Sequence, residues 1–177
     1  MNIAVYLGSL YGNDPIYLEK IRELGTWIGQ NGHTLVYGGS KVGLMGEVAD
    51  AALVAGGYVI GVEPQFFIDA VVQHEGVQEL ISTETIPERR SKMIELSDAF
   101  IAFPGGTGTL EEISEIMSME HLGHTSAPCI IYNLGGYYDS LRELLTHMVD
   151  QGFLPEASLS KIKFASNLDE ITGILCS

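Results

Sequence analysis

Apolar segments that alternate with segments of helical period constrain the fold of this 177-residue chain more than any other feature. The strand-like segments carry few polar residues, which is typical of strands buried on both faces in parallel sheets. A parallel pair also needs a crossover connection, usually a helix, between its strands. The pattern therefore predicts an α/β fold: a Rossmann-like, doubly wound parallel sheet with helices on both faces, formed by one domain over residues 1–177.

The individual elements follow from the same pattern. Strands are predicted at 2–7, 34–37, 58–62, 98–103 and 128–133, with weaker candidates at 78–82 and 161–165. Helices are predicted at 15–31, 43–55, 66–74, 87–97, 108–122, 137–151 and 167–176. The least regular connection, around 63–86, is interpreted as a loop-rich crossover rather than a domain boundary.

Charge and composition exclude several classes of partner. The formal net charge is −14, which would repel nucleic acid and anionic membranes at long range. No apolar run reaches the roughly 18–20 residues of a membrane helix, and the chain starts as a strand without a basic leader. The two cysteines have no metal-ligand or redox spacing. We therefore expect a cytoplasmic protein that binds neither nucleic acid nor membrane and has no metal or cofactor.

Glycine-bearing loops follow three of the predicted strands, at Gly8–Gly12, Gly38–Gly46 and Pro104–Thr109. Each could be an ordinary strand-to-helix turn, but open parallel sheets bind ligands at the carboxyl ends of their strands. The third loop opens into a helix, whose unpaired amides and positive dipole end attract anions. The dinucleotide and P-loop signatures are absent from the sequence. A ligand with a single phosphate, such as a nucleoside monophosphate, fits best.

A basic pair in the predicted 87–97 helix is the next candidate. Arg89 lies on an otherwise apolar stripe with Ile86, Met93 and Leu96, so it should point inward. An unpaired inward guanidinium is costly, which requires either a structural carboxylate or an anionic ligand. We favour the ligand. Arg90 lies beside the stripe and could reach the same anion.

Two glutamates follow the third glycine loop. Thr109–Glu112 matches a helix capping box, and acidic residues are favoured in a first helical turn in any case. A carboxylate next to a bound phosphate would however be repelled by it. Action on the substrate would explain such a placement of Glu111 and Glu112.

These motifs together resemble the LOG family, the cytokinin riboside 5′-monophosphate phosphoribohydrolases, whose members have often been labelled lysine decarboxylases. The likeness rests on Val5–Ser9, Leu35–Gly39, Gly43–Gly46, Arg89–Arg90 and Pro104–Glu112 and covers nearly the whole chain. It implies hydrolysis of the N-glycosidic bond of AMP or a cytokinin riboside monophosphate, without a cofactor, by a homodimer.

The resemblance also implies site residues. Arg89 and Glu112 correspond to the family's essential pair, and Gly105–Glu111 corresponds to its phosphate-binding turn. The implied substrate-binding residues are Gly8, Ser9, Gly38, Gly39, Met45, Gly46, Arg90, Gly105, Gly106, Thr107, Gly108, Thr109 and Glu111.

Two alternatives concern function and assembly. Ile86–Arg90 lacks the histidine usual at the second position of the family segment and has Arg90 in place of the lysine usual at its last position, which leaves the preferred base open. The competing function is a non-catalytic nucleotide or molybdenum-cofactor carrier of the same fold. Independently, the 108–122 helix carries apolar residues on more than one face, namely Ile113, Ile116, Met117 and Met119. Such a helix either packs against a second copy or is buried within one subunit.

Overall fold

A seven-stranded parallel sheet organises the chain. The computed structural model describes residues 1–69 and 73–176. The strands are β1 (Asn2–Tyr6), β2 (Thr34–Tyr37), β3 (Tyr58–Pro64), β4 (Glu79–Thr83), β5 (Ala99–Ala102), β6 (Cys129–Tyr132) and β7 (Ile162–Ala165). Their order in the sheet is β4-β3-β2-β1-β5-β6-β7, with every neighbouring pair parallel. The predicted fold class is confirmed, and each strand lies within two residues of its predicted bounds.

Helices connect the strands. They are α1 (Ile16–Gln30), α2 (Gly43–Val54), α3 (Gln65–Asp69), α4 (Ile86–Leu96), α5 (Thr107–His121), α6 (Asp139–Asp150), α7 (Glu156–Leu159) and α8 (Leu168–Leu175). Over the described parts of the chain, no helix has both the length and the apolar character needed to span a membrane.

Two helix predictions need correction. The 66–74 prediction spans residues 70–72, which lie outside the described residues, and its last two positions are not helical. Gln73 instead forms a β-bridge with Ser40, and the His74 amide donates to the Gly39 carbonyl at 2.8 Å. The 137–151 helix starts later, at Asp139, because a 3₁₀ turn over Leu134–Gly136 precedes it.

The core has two layers, one on each face of the sheet. Alternate strand residues face opposite layers, so that Ile3 and Val5 pack with α1, α2 and α8 while Ala4 and Tyr6 pack with α4, α5 and α6. The chain winds from β1 through β2 and β3 to β4 on one side, then returns to β5 beside β1. This reversal leaves a crevice at the carboxyl ends of β1 and β5, where open α/β sheets bind ligands.

Candidate active site

A cavity of about 560 Å³ lies at the carboxyl ends of β5, β1, β2 and β3. The residues that line it are Leu7, Gly8, Ser9, Gly38, Ser40, Val42, Met45, Glu63, Phe67, Arg89, Gly106, Thr107, Gly108, Thr109 and Glu112. All three glycine-bearing loops contribute to it. The structure thus brings ten of the predicted site residues to one cavity, although their roles stay predictions.

The start of α5 forms one end of this cavity. Gly106 is the N-cap residue and Thr107 is the first helical residue. The amides of Thr107, Gly108 and Thr109 therefore fall in the first turn, where helix N–H groups have no intrahelical acceptor. With the positive end of the helix dipole behind them, they make this end suited to an anion such as a phosphate.

The capping-box interpretation of Thr109–Glu112 is wrong for this helix. Because α5 already begins at Thr107, Glu112 lies beyond the first turn and cannot act as a capping residue. A side-chain cap occurs instead on α4, where the Thr85 hydroxyl accepts a hydrogen bond from the Glu88 amide at 3.3 Å. The placement of Glu112 therefore needs another explanation.

Close backbone packing joins the loops after β1 and β5. The Gly8 amide lies 3.4 Å from the Pro104 carbonyl oxygen. A Cβ atom on Gly105 would clash with the Thr109 hydroxyl and lie 2.7 Å from the Gly8 nitrogen. Only glycine fits at position 105, so this residue shapes the anion end without lining the cavity.

Arg89 and Glu112 form a buried ion pair in the middle of the cavity. The Arg89 Nη1 atom donates to Glu112 Oε1 at 2.8 Å, and its Nε atom donates to the Val62 carbonyl oxygen at 2.9 Å. Their side chains are only 16% and 10% exposed. Arg89 thus points inward, as the apolar stripe indicates, and its carboxylate partner is Glu112.

One nitrogen of the Arg89 guanidinium, Nη2, is not used in the contacts with Glu112 and Val62. Arg89 Nη2 has no hydrogen-bond partner within the described part of the chain and lies against Gly38, where a Cβ atom would clash with it. The same Cβ atom would lie 2.9 Å from Met45 Sδ. Glycine at position 38 therefore lets the guanidinium reach the cavity.

Burial changes the acid–base behaviour of two carboxyl groups here. It raises the pKa of Glu112, an effect that the neighbouring Arg89 charge opposes. Burial also raises the pKa of Glu63 from its usual 4.5 to about 7, again against the influence of Arg89. Perturbed carboxyl groups in a cavity are typical of sites that transfer protons.

The second predicted basic residue lies elsewhere. Arg90 donates to Glu111 at 2.8 Å and to Glu115 at 2.9 Å, and the three side chains form an ion cluster on the outer surfaces of α4 and α5. Neither Arg90 nor Glu111 lines the cavity, and neither do Gly39, Gly46 and Gly105. These five predicted residues therefore do not line the cavity, although Gly105 packs against Gly8 and Thr109 at its anion end.

The cavity also includes residues that the sequence interpretation did not identify. They are Leu7, Ser40, Val42, Glu63 and Phe67. Glu63 had a usable signal, because it is a single carboxylate near the end of an apolar strand segment. The predicted strand ended one residue before it.

Metal-ligand groups and the lysine of the glycine loops were located relative to this site. Among the residues described, no group of three or more His, Cys, Asp or Glu side chains could hold a metal ion. Lys41, the lysine of the glycine loops, is exposed and does not line the cavity.

The family model described as "possible lysine decarboxylase" matches residues 45–175. The cytokinin riboside 5′-monophosphate phosphoribohydrolase of Rhodococcoides fascians is 37% identical over 95% of this chain and 85% of its own length. A probable enzyme of the same name from Oryza sativa subsp. japonica is 40% identical over 86% of this chain and 67% of its own length. A third, from Arabidopsis thaliana, is 37% identical over 96% of this chain and 79% of its own.

Solved structures with the same fold include the molybdenum cofactor binding protein from Rippkaea orientalis. Its TM-score is 0.74 at 23% identity, covering 99% of this chain and 94% of that one. The Moco carrier protein of Chlamydomonas reinhardtii gives a TM-score of 0.73 at 21% identity, with the same coverage of 99% and 94%. At these identities the likeness establishes the fold alone.

Proposed function

Because the chain belongs to the LOG family, we propose that it hydrolyses the N-glycosidic bond of a nucleoside 5′-monophosphate. The products are a free base and ribose 5-phosphate. The observation that carries the proposal is the buried Arg89–Glu112 pair, which lies in the same cavity as the first turn of α5. One cavity thus combines an anion-binding end with a carboxylate.

The 5′-phosphate binds at the first turn of α5. The amides of Thr107, Gly108 and Thr109 donate to its oxygens, and the dipole of this 15-residue helix favours its charge. A phosphate held there places the ribose over the next turn of the helix, where Glu112 lies. Binding the remote phosphate in this way positions the reacting carbon against the catalytic carboxylate.

Glu112 acts on the ribose. Cleavage of an N-glycosidic bond builds positive charge on the sugar ring, as in glycoside hydrolysis, and a nearby carboxylate stabilises it. The same carboxylate accepts a proton from the water that attacks C1′. Its raised pKa brings it closer to neutrality, where a general base works best.

Arg89 orients this carboxylate and contacts the substrate. One of its Nη atoms holds Glu112 and its Nε atom is fixed by the Val62 carbonyl, so the guanidinium has a defined position. The remaining Nη2 atom is free to donate to a ribose hydroxyl or a phosphate oxygen.

Base release tests this function. We would incubate the protein with AMP and with isopentenyladenosine 5′-monophosphate, and follow free base by chromatography and ribose 5-phosphate by a coupled assay. The corresponding nucleosides, which lack the phosphate, should react far more slowly. Nucleotide binding without base release from any purine or pyrimidine monophosphate would favour the carrier function instead, and carbon dioxide release from lysine would favour a decarboxylase.

We further propose that the chain is a cytoplasmic homodimer engaged in cytokinin production. Cys129 and Cys176 are both free, which suits a reducing compartment. Ile113 and Ile116 are buried in the chain's own core and carry no argument for a dimer. Leu110 and Leu122, at the two ends of α5, are exposed and offer apolar surface to a second copy. Light scattering after size exclusion measures the assembly directly.

A further inference from the structure

Glu63 is a buried carboxyl group in the cavity without an assigned role. It lies near the end of β3, is 2% exposed and is one of the residues that line the cavity. Its Oε2 atom is buried and has no hydrogen-bond partner among the residues described. An ionised oxygen that is buried without a partner is costly, which favours the protonated, neutral form of this carboxyl group.

The position of Glu63 corresponds to the base end of a bound nucleotide. The carboxyl ends of β5, β1, β2 and β3 follow one another along the sheet, and the cavity runs across them. Neighbouring strands lie about 4.8 Å apart, so the turn after β5 and the end of β3 are separated by roughly 14 Å. A nucleotide with its phosphate at Thr107 and its sugar at Glu112 therefore extends its base toward Glu63.

The apolar residues around Glu63 fit a base. Val42 and Met45 from the segment after β2 and Phe67 from the segment after β3 line the cavity, whereas the anion end is formed by backbone amides. Flat heteroaromatic rings pack well against such side chains, which leaves the ring nitrogens to a polar partner.

The reaction needs a proton at this end. When the bond between C1′ and the base breaks, the electron pair stays with the base, and an anionic purine is a poor leaving group unless a ring nitrogen is protonated. Glu112 takes a proton from water at the sugar and cannot supply one at the base at the same time. A second, protonated group facing the base would complete the acid–base pair.

We propose that Glu63 is the general acid that protonates the leaving base. This inference rests on the proposed hydrolysis. The Glu63 carboxyl proton moves to a ring nitrogen, the C1′–N bond breaks, and the water oxygen bonds to C1′ while its proton moves to Glu112. Transfer of that proton from Glu112 through solvent to Glu63 restores both groups, so the net reaction consumes one water.

The electrostatic surroundings keep Glu63 protonated near neutral pH. Burial raises its pKa to about 7, and the positive charge that opposes this effect is Arg89 on α4. On the neighbouring strand β2, the Tyr37 hydroxyl is buried and also lacks a hydrogen-bond partner among the described residues. Burial raises the pKa of Tyr37, so this group stays neutral and adds no charge beside Glu63.

A leaving group that needs no proton tests the proposal. We would compare AMP with 4-nitrophenyl ribose 5-phosphate, because nitrophenolate departs as an anion. Glu63→Gln should lower kcat on AMP by roughly 100-fold, the lower range for general acids. The same variant should cleave the nitrophenyl substrate within about threefold of wild type. Glu112→Gln should lose both activities, because it acts on the sugar.

A control variant and a pH profile test further whether Glu63 acts as the general acid. Glu79→Gln, an exposed carboxyl on the neighbouring strand β4, is the matched control and should leave both activities unchanged. In wild type, kcat on AMP should fall as pH rises through about 7, while kcat on the nitrophenyl substrate should not. This measurement needs no variant and is unaffected if Glu63→Gln folds poorly.

Several results would overturn the assignment. Equal losses on both substrates would make Glu63 a positioning residue, and unchanged activity on AMP would remove it from the reaction. An alkaline limb shared by both substrates would assign the limb to another group. Failure of wild type to release base from any nucleotide is a different result, because it rejects the proposed hydrolysis itself.

Discussion

Two sets of ion pairs join α4 to α5. The adjacent residues Arg89 and Arg90 supply their positive charges. Arg89 pairs with Glu112, whose side chain is 10% exposed, whereas Arg90 pairs with Glu111, whose side chain is 58% exposed. The first pair lies in the cavity and the second on the outer surface. The bond lengths are the same, 2.8 Å in each case. The two arginine side chains are also similarly buried, at 16% and 18% exposed, so the pairs differ in the burial of their carboxylates and in their position relative to the cavity.

The comparison shows what an ion pair can contribute in each setting. Exposed pairs typically add less than about 1 kcal/mol to stability, because water screens them and side-chain entropy opposes them. A buried pair carries a large desolvation cost, and removing one partner leaves an uncompensated charge. A protein retains such a pair where the charges serve another purpose, which agrees with a catalytic role for Arg89 and Glu112.

The largest expected effect comes from removing the buried carboxylate. Glu112→Gln should reduce kcat by roughly 1,000-fold, because it loses the charge that stabilises the ribose transition state, while nucleotide binding is retained. Glu115→Gln, three residues further along α5 and outside the cavity, is the matched control. Steady-state kinetics and calorimetric nucleotide binding check the pair of variants. If Glu112→Gln turns over like wild type, Glu112 is a structural partner of Arg89.

Displacing the guanidinium without changing its charge should have the next largest effect. In Gly38→Ala the added methyl meets Arg89 Nη2 and lies 2.9 Å from Met45 Sδ, so the guanidinium must shift, which disturbs its contact with Glu112. We expect a loss of roughly 100-fold in kcat/KM, since small displacements of catalytic groups have large effects.

Gly173→Ala provides the control for this prediction. An added methyl at position 173 in α8 has no atom within 4 Å. It should leave kcat/KM unchanged and maintain the thermal stability, because alanine favours helices more than glycine does. Equal kinetics in Gly38→Ala and wild type would show that the position of Arg89 is not critical.

The pH dependence of stability should distinguish Glu63 from a surface carboxyl. The pKa of Glu63 is about 7 in the folded protein against a usual 4.5. Below about pH 4.5 the group is therefore protonated and uncharged in both the folded and the unfolded state. Between about pH 4.5 and 7 the unfolded chain loses this proton while the folded protein keeps it, so stability falls across that window and stops falling once the folded group has also ionised. Glu63→Gln removes this penalty, so at pH 8 it should exceed wild type by about 1 to 3 kcal/mol.

Urea unfolding at pH 4.5, 6 and 8 measures this difference, again with Glu79→Gln as the control for loss of a surface charge. The gain over wild type should grow with pH and level off above about pH 8. A gain that is constant across the range would show that Glu63 carries its charge, or its proton, equally in both states.

The smallest effect is expected from the exposed cluster. Arg90→Ala removes the contacts with Glu111 and Glu115, and should cost less than about 1 kcal/mol, with the difference shrinking at high salt. Its KM should change much less than that of Arg89→Ala. A rise in KM as large as that of Arg89→Ala would return Arg90 to the substrate-binding residues predicted from the sequence.

The sequence predicts the sheet and the inward direction of Arg89 well. Continuous apolar strands predict a parallel sheet, and the stripe shared with Met93 gives the inward direction of Arg89. These features are periodic, and periodicity is the strongest signal in a single sequence. Short elements carry no such signal, so the four-residue α7 was missed.

Exact helix starts and contacts between residues far apart in the sequence were harder to predict. Thr109–Glu112 matches a capping box that the structure does not form, because several residues of the glycine turn could begin α5 and Thr107 does so. Glu63 was missed because it becomes a candidate only when the ends of three other strands lie beside it at the same cavity. Ile113 and Ile116 were candidates for an interface, yet they are buried in the core layer that packs on one face of the chain's own sheet.

The strand order also separates the two ends of the cavity along the chain. The anion end comes from residues 106–109, whereas the apolar end comes from residues 38–67. The two ends belong to different stretches of sequence and can change independently. We expect that exchanging residues 38–67 between relatives would produce chimeras that release a different base while still requiring the 5′-phosphate.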